Sequence, residues 1–252
     1  MNLQFIDNSP MINVHQNLLH ERLKTHSSTF HPVVKFDAKN EILIKLDFTK
    51  RNQELQFVDV ADTNLFSVYV DDKLKQSNAK FGIGGYNELR ELYSRSEVFD
   101  TSNEEPRRLH LGVDIWGEEG TTVYAPLNGI VHSCAFNDNF GDYGATIILK
   151  HDLQDVSFYT LYGHLSLADI NCISANQSVE KGAVIAHFGS PHENGNWPPH
   201  LHFQIINDIE DYKGDYPGVC KESERDKYLS NCPDPDLILN LMQHAKSEQT
   251  GK

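Results

Sequence analysis

The pair His200 and His202 is the part of this sequence whose residue types and spacing most clearly suggest chemistry. Residues 200–205 alternate between polar and apolar side chains, a pattern typical of a β-strand with one buried face. Side chains two positions apart in a strand point to the same face, so both imidazoles would face one side of a sheet. Imidazole nitrogen is a common zinc ligand, so the pair indicates part of a metal site. In a chain with 13 histidines, chance spacing is the alternative.

A second segment offers further ligands, His110 and Asp114. Their spacing of four would suit a helix, but Gly112 and the β-branched residues beside it disfavour one. A straight strand rises about 3.3 Å per residue and would hold the two side chains too far apart to share an ion. We therefore expect a bend at Gly112. Together with His202, the two residues would supply three protein ligands and leave a fourth zinc position open for water, which is typical of a catalytic zinc.

Other residues near these segments are weaker candidates. His164 ends an alternating stretch over residues 159–164, where a hydrogen-bonded strand end and a functional role are both open interpretations. His192 lies in the loop before the His200 strand and is a candidate for lining a substrate groove. Tyr143 and Trp197 would flank the same cleft and could stack on a substrate. Three further histidines are expected to be structural or exposed: His132, His151 and His187.

Taken in order, these segments resemble the lysostaphin-type zinc metallopeptidases, a family of Gly-Gly and peptidoglycan-crosslink endopeptidases. The resemblance covers residues 109–206, about the central two fifths of the chain. Six motifs carry it in the family's order: HLGVDI, GTTVYAPLNGIV, FGDYGATIILKHD, TLYGHLS, VEKGAVIAHFGS and PPHLHFQI.

The resemblance assigns a role to each residue that matches a family position. It implies that His110, Asp114 and His202 bind one Zn²⁺ ion. It further implies that His200 is the general base and that His164 helps to hold the oxyanion of the tetrahedral intermediate. The expected reaction is metal-assisted hydrolysis of an amide in a peptide or peptidoglycan-like substrate, without a covalent intermediate. The fold implied is an antiparallel, open barrel-like sheet of the duplicated hybrid motif type.

Composition narrows the class of protein further. With 36 acidic and 22 basic residues the formal net charge is −14, which disfavours nonspecific binding to nucleic acid or to an anionic membrane. No stretch approaches the roughly 18 apolar residues of a membrane helix. The first residues lack a basic n-region and a continuous apolar h-region, so we expect a cytoplasmic protein. Cys220 and Cys232 are then expected to be free buried thiols, although a bridge between them is an alternative.

We expect a mainly β chain in three parts, with boundaries after residues 105 and 206. In the upstream part, 1–105, alternating apolar residues predict antiparallel strands over 32–48 and 55–70. The Gly-rich residues 81–85 predict a flexible turn, and the spacing in 87–93 predicts a short helix.

The core and the C-terminal part have simpler patterns. Residues 106–206 form the predicted zinc metallopeptidase core, in which strands punctuated by Gly and Pro indicate an antiparallel sheet or open barrel. Residues 207–252 begin as an acidic loop. They end in a helix predicted over 236–242, with Pro235 near its start.

Two other functions fit parts of the pattern. A non-catalytic binding module of the same fold is one, since sugar-phosphotransfer carrier domains of similar β architecture use paired histidines. The complete set of His110, Asp114 and His202 disfavours a phosphocarrier, because such a domain does not need the Asp ligand. The other is an intracellular hydrolase of a non-peptidoglycan amide. The motifs around residues 141–152 and 158–166 resemble a subgroup that also occurs beside aminotransferase-like and kinase-like domains.

Asn87 is a candidate for blocking the metal. Relatives can hold an upstream segment across the zinc with an Asn as fourth ligand, and Asn87 follows two glycines, Gly84 and Gly85, that would let the backbone approach closely. The alternative is that this segment is only a packed connector or a wall of the cleft.

Overall fold

The computed structural model describes residues 9–100 and 104–247. Within these residues the α-helices are α1 (Ser9–His26), α2 (Thr63–Gln76), α3 (Leu167–Ile170), α4 (Arg225–Asn231) and α5 (Asp236–Leu239). Short 3₁₀ turns lie at Ser27–Thr29, Gln53–Phe57, Glu91–Arg95, Glu222–Glu224 and Met242–His244. The strands are β1 (Leu43–Lys45), β2 (Phe81–Gly84), β3 (Glu88–Leu89), β4 (Leu109–His110), β5 (Val113–Trp116), β6 (Thr122–Tyr124), β7 (Gly129–Asn137), β8 (Gly144–Leu153), β9 (Val156–Leu165), β10 (Ser178–Val179), β11 (Val184–His187), β12 (His200–Ile206), β13 (Val219–Cys220) and β14 (Ala245–Lys246).

One nine-stranded sheet organises the molecule, in the order β10-β7-β8-β9-β12-β5-β2-β1-β14. Pairing is antiparallel from β10 through β2 and parallel at β1 with both of its neighbours. Since β10 and β14 are free edges, the sheet is open. The prediction of a mainly β, antiparallel, open architecture is confirmed.

Strand β12 lies inside this sheet, between β9 and β5, and each of its seven residues is buried. Its alternation places Leu201, Phe203 and Ile205 in the main hydrophobic cluster, so the face that carries His200 and His202 is the opposite one. The predicted two-faced strand is therefore present. Because both faces are covered, the imidazoles are enclosed and not exposed on a sheet surface.

The predicted strands of the upstream part are largely wrong. In 32–48 a strand forms at Leu43–Lys45, and it pairs parallel with β2. Residues 55–70 form the end of a 3₁₀ turn and most of helix α2. The side chain of Asp62 caps α2 by accepting from the amides of Asn64 and Leu65, while Phe66 and Val70, four residues apart, face the core. The cap and this spacing outweigh the apparent alternation.

The predicted flexible turn at 81–85 is also wrong, because Phe81–Gly84 is the fully buried strand β2. The glycines of β2 let neighbouring side chains pack directly against its backbone, and they do not make it flexible. A Cβ on Gly82 would lie 2.4 Å from the Leu46 side chain, and one on Gly84 would lie 2.5 Å from the Arg90 guanidinium.

The helix predicted over 87–93 is wrong, and the predicted C-terminal helix is shorter than expected. Residues 87–93 contain β3 and the start of a 3₁₀ turn, because Asn87 has a φ of 58° and Glu88 pairs with His110. The C-terminal helix is present as α5 but ends at Leu239, since Asn240 adopts a left-handed conformation with a φ of 52°. Helix α4 lies in the region expected to be an acidic loop. No helix in 9–100 or 104–247 has the length and apolar character to cross a membrane.

Candidate metal centre

His110 and Asp114 come together because the chain bends between β4 and β5. Strand β4 pairs with β3 and β13, whereas β5 joins the large sheet, where Asp114 is directly opposite His202. The bend falls at Gly112, as the sequence predicts. A Cβ there would lie 2.4 Å from Cε1 of His202, so glycine also makes room for this imidazole.

Three buried donor atoms from these residues meet at one point. Nε2 of His110 lies 3.0 Å from Nδ1 of His202 and 3.2 Å from Oδ1 of Asp114, and the remaining pair is 3.0 Å apart. A tetrahedral zinc with bonds of 2.0–2.1 Å holds its ligand atoms about 3.3 Å apart. The cluster therefore has the size of a zinc site. Within residues 9–100 and 104–247, these three side chains form the cluster of metal-binding residue types whose donor atoms lie close enough together to hold an ion.

The other ring nitrogens fix the tautomers of both histidines. Nδ1 of His110 donates to the carbonyl of Gly85 at 3.0 Å, and Nε2 of His202 donates to Oε1 of Gln204 at 2.9 Å. The nitrogens that face Asp114 are then both unprotonated. Two lone pairs and a carboxylate oxygen would repel one another at 3 Å, so the arrangement favours a cation among them.

Arg90 holds the second oxygen of Asp114. Its Nη1 donates to Oδ2 at 2.5 Å, and the guanidinium is 1 % exposed. Burial opposes ionisation of Asp114, but the Arg90 guanidinium outweighs it and holds the pKa of this carboxyl well below its usual range. Burial lowers the pKa of His110 to about 4, so this imidazole is neutral at pH 7. Arg90 is then the cation that keeps Asp114 charged at neutral pH.

His200 and His164 form a second pair beside the cluster. Their rings stack with centroids 4.0 Å apart, and His200 stacks on Trp116 at 3.9 Å. Nδ1 of His200 donates to the carbonyl of Pro198, and Nδ1 of His164 donates to that of Asn194. Burial lowers the pKa of His200 to about 4, while burial and then His200 lower the pKa of His164. Both imidazoles are therefore neutral at pH 7, with an unprotonated Nε2.

The backbone at His164 is strained. Its φ is 62°, although it has a β-carbon, and it lies where the register between β8 and β9 shifts. Its amide donates to Tyr143 at 2.8 Å, and its carbonyl accepts from Gly189 at 2.9 Å. A strained residue that several contacts over-determine is typical of a functional site.

A cavity of about 240 Å³ gives access to this region, and its walls include Asp114, His164, His200 and His202. Tyr143 and Trp197 also line it, which is where the sequence placed them. Other walls come from outside the motif region: Arg90, Leu92, Tyr93, Val98, Phe99, Tyr216, Pro217, Gly218 and Val219.

The remaining candidates lie elsewhere. His192 bonds to Ser190 and is not among the residues that line the cavity. His132 packs on Tyr159, the buried His151 bonds to Thr160, and His187 bonds to Asp169. Asn87 lines a second cavity, and its backbone amide donates to the backbone carbonyl of His110 at 2.9 Å. Its role as a fourth ligand remains a prediction.

Two residues at the site were missed from the sequence, Gln204 and Arg90. Gln204 follows His202 at a spacing of two in β12, so the strand pattern was enough to place it on the same face. Arg90 had no such signal, because it lies 24 residues before Asp114 in an irregular segment.

Comparison with known proteins gives the class of this core. Residues 108–214 match the model of peptidase family M23, and the resemblance to the lysostaphin-type peptidases is confirmed. An uncharacterized metalloprotease of Haemophilus influenzae is 35% identical over 98 residues, which are 39% of this chain and 18% of that protein. The DD-carboxypeptidase/endopeptidase Mpg of Neisseria meningitidis is 34% identical over 97 residues, 38% of this chain and 20% of that protein.

A crystal structure of a zinc containing peptidase from Vibrio cholerae is also similar. It is 28% identical, with a TM-score of 0.32, over 39% of this chain and 27% of that one. The chain spans about a fifth of the length of the two curated relatives.

Proposed function

We propose that the protein is a zinc-dependent metallopeptidase in which His110, Asp114 and His202 hold one Zn²⁺. The observation that carries this proposal is the meeting of their three unprotonated donor atoms at 3.0–3.2 Å. The M23 match over residues 108–214 supports it independently. When bound, zinc polarises an amide carbonyl and makes water acidic enough to supply hydroxide at neutral pH.

His200 is the proposed general base. Its Nδ1 proton is committed to the Pro198 carbonyl, so Nε2 carries the lone pair that accepts a proton. The low pKa of this imidazole keeps it neutral at pH 7. Stacking on Trp116 on one side and on His164 on the other fixes the ring plane. A fixed, neutral imidazole can take a proton from water and return it to the leaving amine.

His164 is the proposed partner for the oxyanion. In its resting tautomer Nδ1 donates to Asn194, so Nε2 is an acceptor and cannot donate to an oxyanion. Donation therefore requires that His164 first gain a proton at Nε2. The attacking water supplies that one proton, which Nε2 of either stacked ring can accept, and the imidazolium so formed stabilises the negative charge before the proton passes to the leaving amine.

The substrate is proposed to be a peptide or a peptidoglycan-like peptide. Support comes from the M23 match and from the relative named as a DD-carboxypeptidase and endopeptidase. The size of the cavity, about 240 Å³, favours a second candidate, hydrolysis of a small amide or of a peptide end. Cleavage within a polymer needs an open groove through which the chain continues on both sides.

An assay on zinc-loaded protein distinguishes these functions. Purified protein is offered crosslinked muropeptides, stem peptides with a free carboxyl end and small amides, and new amines are measured. The control is protein stripped by a chelator and then reloaded with zinc. Release of terminal residues or small amines alone supports the second candidate, and cleavage of crosslinks supports the first. Equal turnover with and without metal contradicts both.

We also propose a reducing compartment, the cytoplasm, for this protein. The four cysteines are all free, and Cys220 and Cys232 are buried at 1% and 0% exposure. Unpaired cysteines fit a cytoplasmic protein better than an exported one. Cell fractionation with thiol labelling of the denatured protein tests this. A Cys220–Cys232 bridge in an extracytoplasmic fraction would contradict it.

A further inference from the structure

Arg90 reaches the candidate metal centre from outside the M23 domain. It lies upstream of residues 108–214, between β3 and a 3₁₀ turn, yet its side chain is 1 % exposed. Its amide donates to the carbonyl of Arg108 at 3.0 Å, which ties the segment to the start of β4. The backbone at Arg90 is therefore fixed next to the strand that carries His110.

Four contacts fix the guanidinium. Nη1 donates to Oδ2 of Asp114 and, at 3.3 Å, to the hydroxyl of Tyr93, while Nε donates to Glu88 at 2.8 Å. The Phe48 ring lies 5.6 Å from its central carbon. A planar donor group held on several sides imposes its own geometry on any acceptor that it binds.

This geometry decides which oxygen of Asp114 faces the histidines. Oδ2 is engaged by Arg90, while Oδ1 lies 3.0 Å from His202 and 3.2 Å from His110. A carboxylate free to rotate could offer both oxygens to one ion. With Oδ2 occupied, Asp114 offers Oδ1 alone, and a coordination position stays open for substrate chemistry.

Charge explains why the guanidinium does not repel a cation from the site. Glu88 pairs with Arg90 and is itself 9% exposed, so its carboxylate offsets part of the positive charge that a bound cation would meet. A buried ion pair adds little to folding stability on its own. The Arg90–Glu88 pair beside Asp114 is therefore better explained by orientation of the Asp114 carboxylate than by folding stability.

We propose that Arg90 is a positioning residue, which holds Asp114 in single-oxygen ligation and makes the upstream segment part of the metal centre. This inference rests on the proposed function, because it assumes that Asp114 binds the metal. It places a determinant of the site outside the matched domain.

Cobalt substitution tests the proposal, because the visible spectrum of Co²⁺ reports coordination number. Metal-free parent, Arg90→Met and Arg90→Lys are titrated with Co²⁺, and zinc affinity is measured by competition with a chelator. We expect zinc affinity to fall about tenfold to a hundredfold in both variants, as for other groups that orient metal ligands. We also expect weaker visible absorption, since a released Asp114 can bind through both oxygens. Lysine should not restore the parent spectrum, because an ammonium cannot bridge Asp114 and Glu88 in the same plane.

The matched control is Arg95→Met. Arg95 lies in the same segment and packs over Trp197 at 4.5 Å, and its Nη2 bonds to the carbonyl of Asn196. This variant should lose folding stability and keep the parent spectrum and affinity. Arg90→Met leaves the Glu88 carboxylate without its ion-pair partner. The double variant Arg90→Met/Glu88→Gln is therefore measured as well.

The outcomes separate the two levels of the proposal. Failure of the parent to bind Zn²⁺ or Co²⁺ refutes the proposed function. Tight binding by the parent, with a Co²⁺ spectrum and zinc affinity unchanged within twofold in the folded double variant, refutes the role of Arg90. A changed spectrum in both Arg90 variants, with Arg95→Met unchanged, supports it.

Discussion

Each histidine of the candidate centre has one ring nitrogen held by the fold and one that is left free for the proposed chemistry. The holding groups are carbonyl oxygens for His110, His164 and His200 and a side-chain amide for His202. Acceptors of this kind keep one proton in place on each ring and so define which nitrogen can bind a metal or accept a proton. The proposed division between ligands and acid–base groups rests on which free nitrogens lie beside Asp114, namely those of His110 and His202.

Loss of a ligand should remove the metal. In His202→Ala, the proposed site keeps only two of its three protein ligands, His110 and Asp114. We expect near-stoichiometric zinc in the parent and a large loss of zinc in this variant, measured by metal analysis after gel filtration. Full zinc occupancy in a folded His202→Ala protein would rule out this assignment.

Loss of either proposed acid–base histidine should leave the metal in place. We expect His200→Ala and His164→Ala to retain zinc and to lose at least about a hundredfold in turnover, the lower end for general acid–base catalysis. His187→Ala is the control, because His187 bonds to Asp169 and lies outside the cavity. If both variants turn over substrate at the parent rate, the stacked pair is structural.

At the scale of elements, the strands that carry the candidate ligands were predictable from the sequence, and the segment that covers them was not. β12 and the bend at Gly112 follow from local patterns, namely alternation and a glycine between β-branched residues. Helix α2 and strand β2 are determined by packing. The ring of Phe66 in α2 packs edge-on against those of Trp116 and Trp197, with ring centroids 6.0 and 6.4 Å apart. No local sequence pattern connects these residues. Likewise, the position of Arg90 depends on long-range pairing of β3 with β4.

Strand β2 carries a prediction that separates packing from positioning. A Cβ on Gly84 would lie 2.5 Å from Nη2 of Arg90 and 3.6 Å from Nε1 of Trp116, so Gly84→Ala must displace the guanidinium. We expect weaker zinc binding and lower turnover in this variant. Gly82→Ala is its control, because a Cβ there meets Leu46 at 2.4 Å instead.

Both glycine variants should be less stable to urea, since each overpacks the same strand, by about 1–3 kcal/mol. Zinc affinity should fall in Gly84→Ala alone. Parallel losses of zinc affinity in the two variants would mean that the strand acts only as scaffold.

At the scale of the whole molecule, buried neutral histidines make stability depend on pH. His151 is a suitable probe because it is 1 % exposed and lies apart from the metal centre, with its ring bonded to Asn128 and Thr160. Burial lowers its pKa from 6.5 to about 4. Between these two values the unfolded chain binds a proton at this residue and the folded chain does not. The free energy of unfolding therefore falls as the pH drops from about 6.5 to about 4, and stability is fully present above that range.

We expect His151→Gln to be less stable than the parent at pH 7.5 but to lose less stability on acidification. A single histidine with this pKa difference contributes about 3 kcal/mol across the range. Urea unfolding of metal-free protein at pH 4.5, 5.5, 6.5 and 7.5 measures the free energy of unfolding of parent and variant. The histidines of the candidate metal centre are present in both proteins, so their contribution cancels in the difference. His192→Gln, which removes an exposed histidine, is the control and should follow the parent curve. Equal pH slopes for the parent and His151→Gln would show that His151 does not remain neutral in the folded protein over this range.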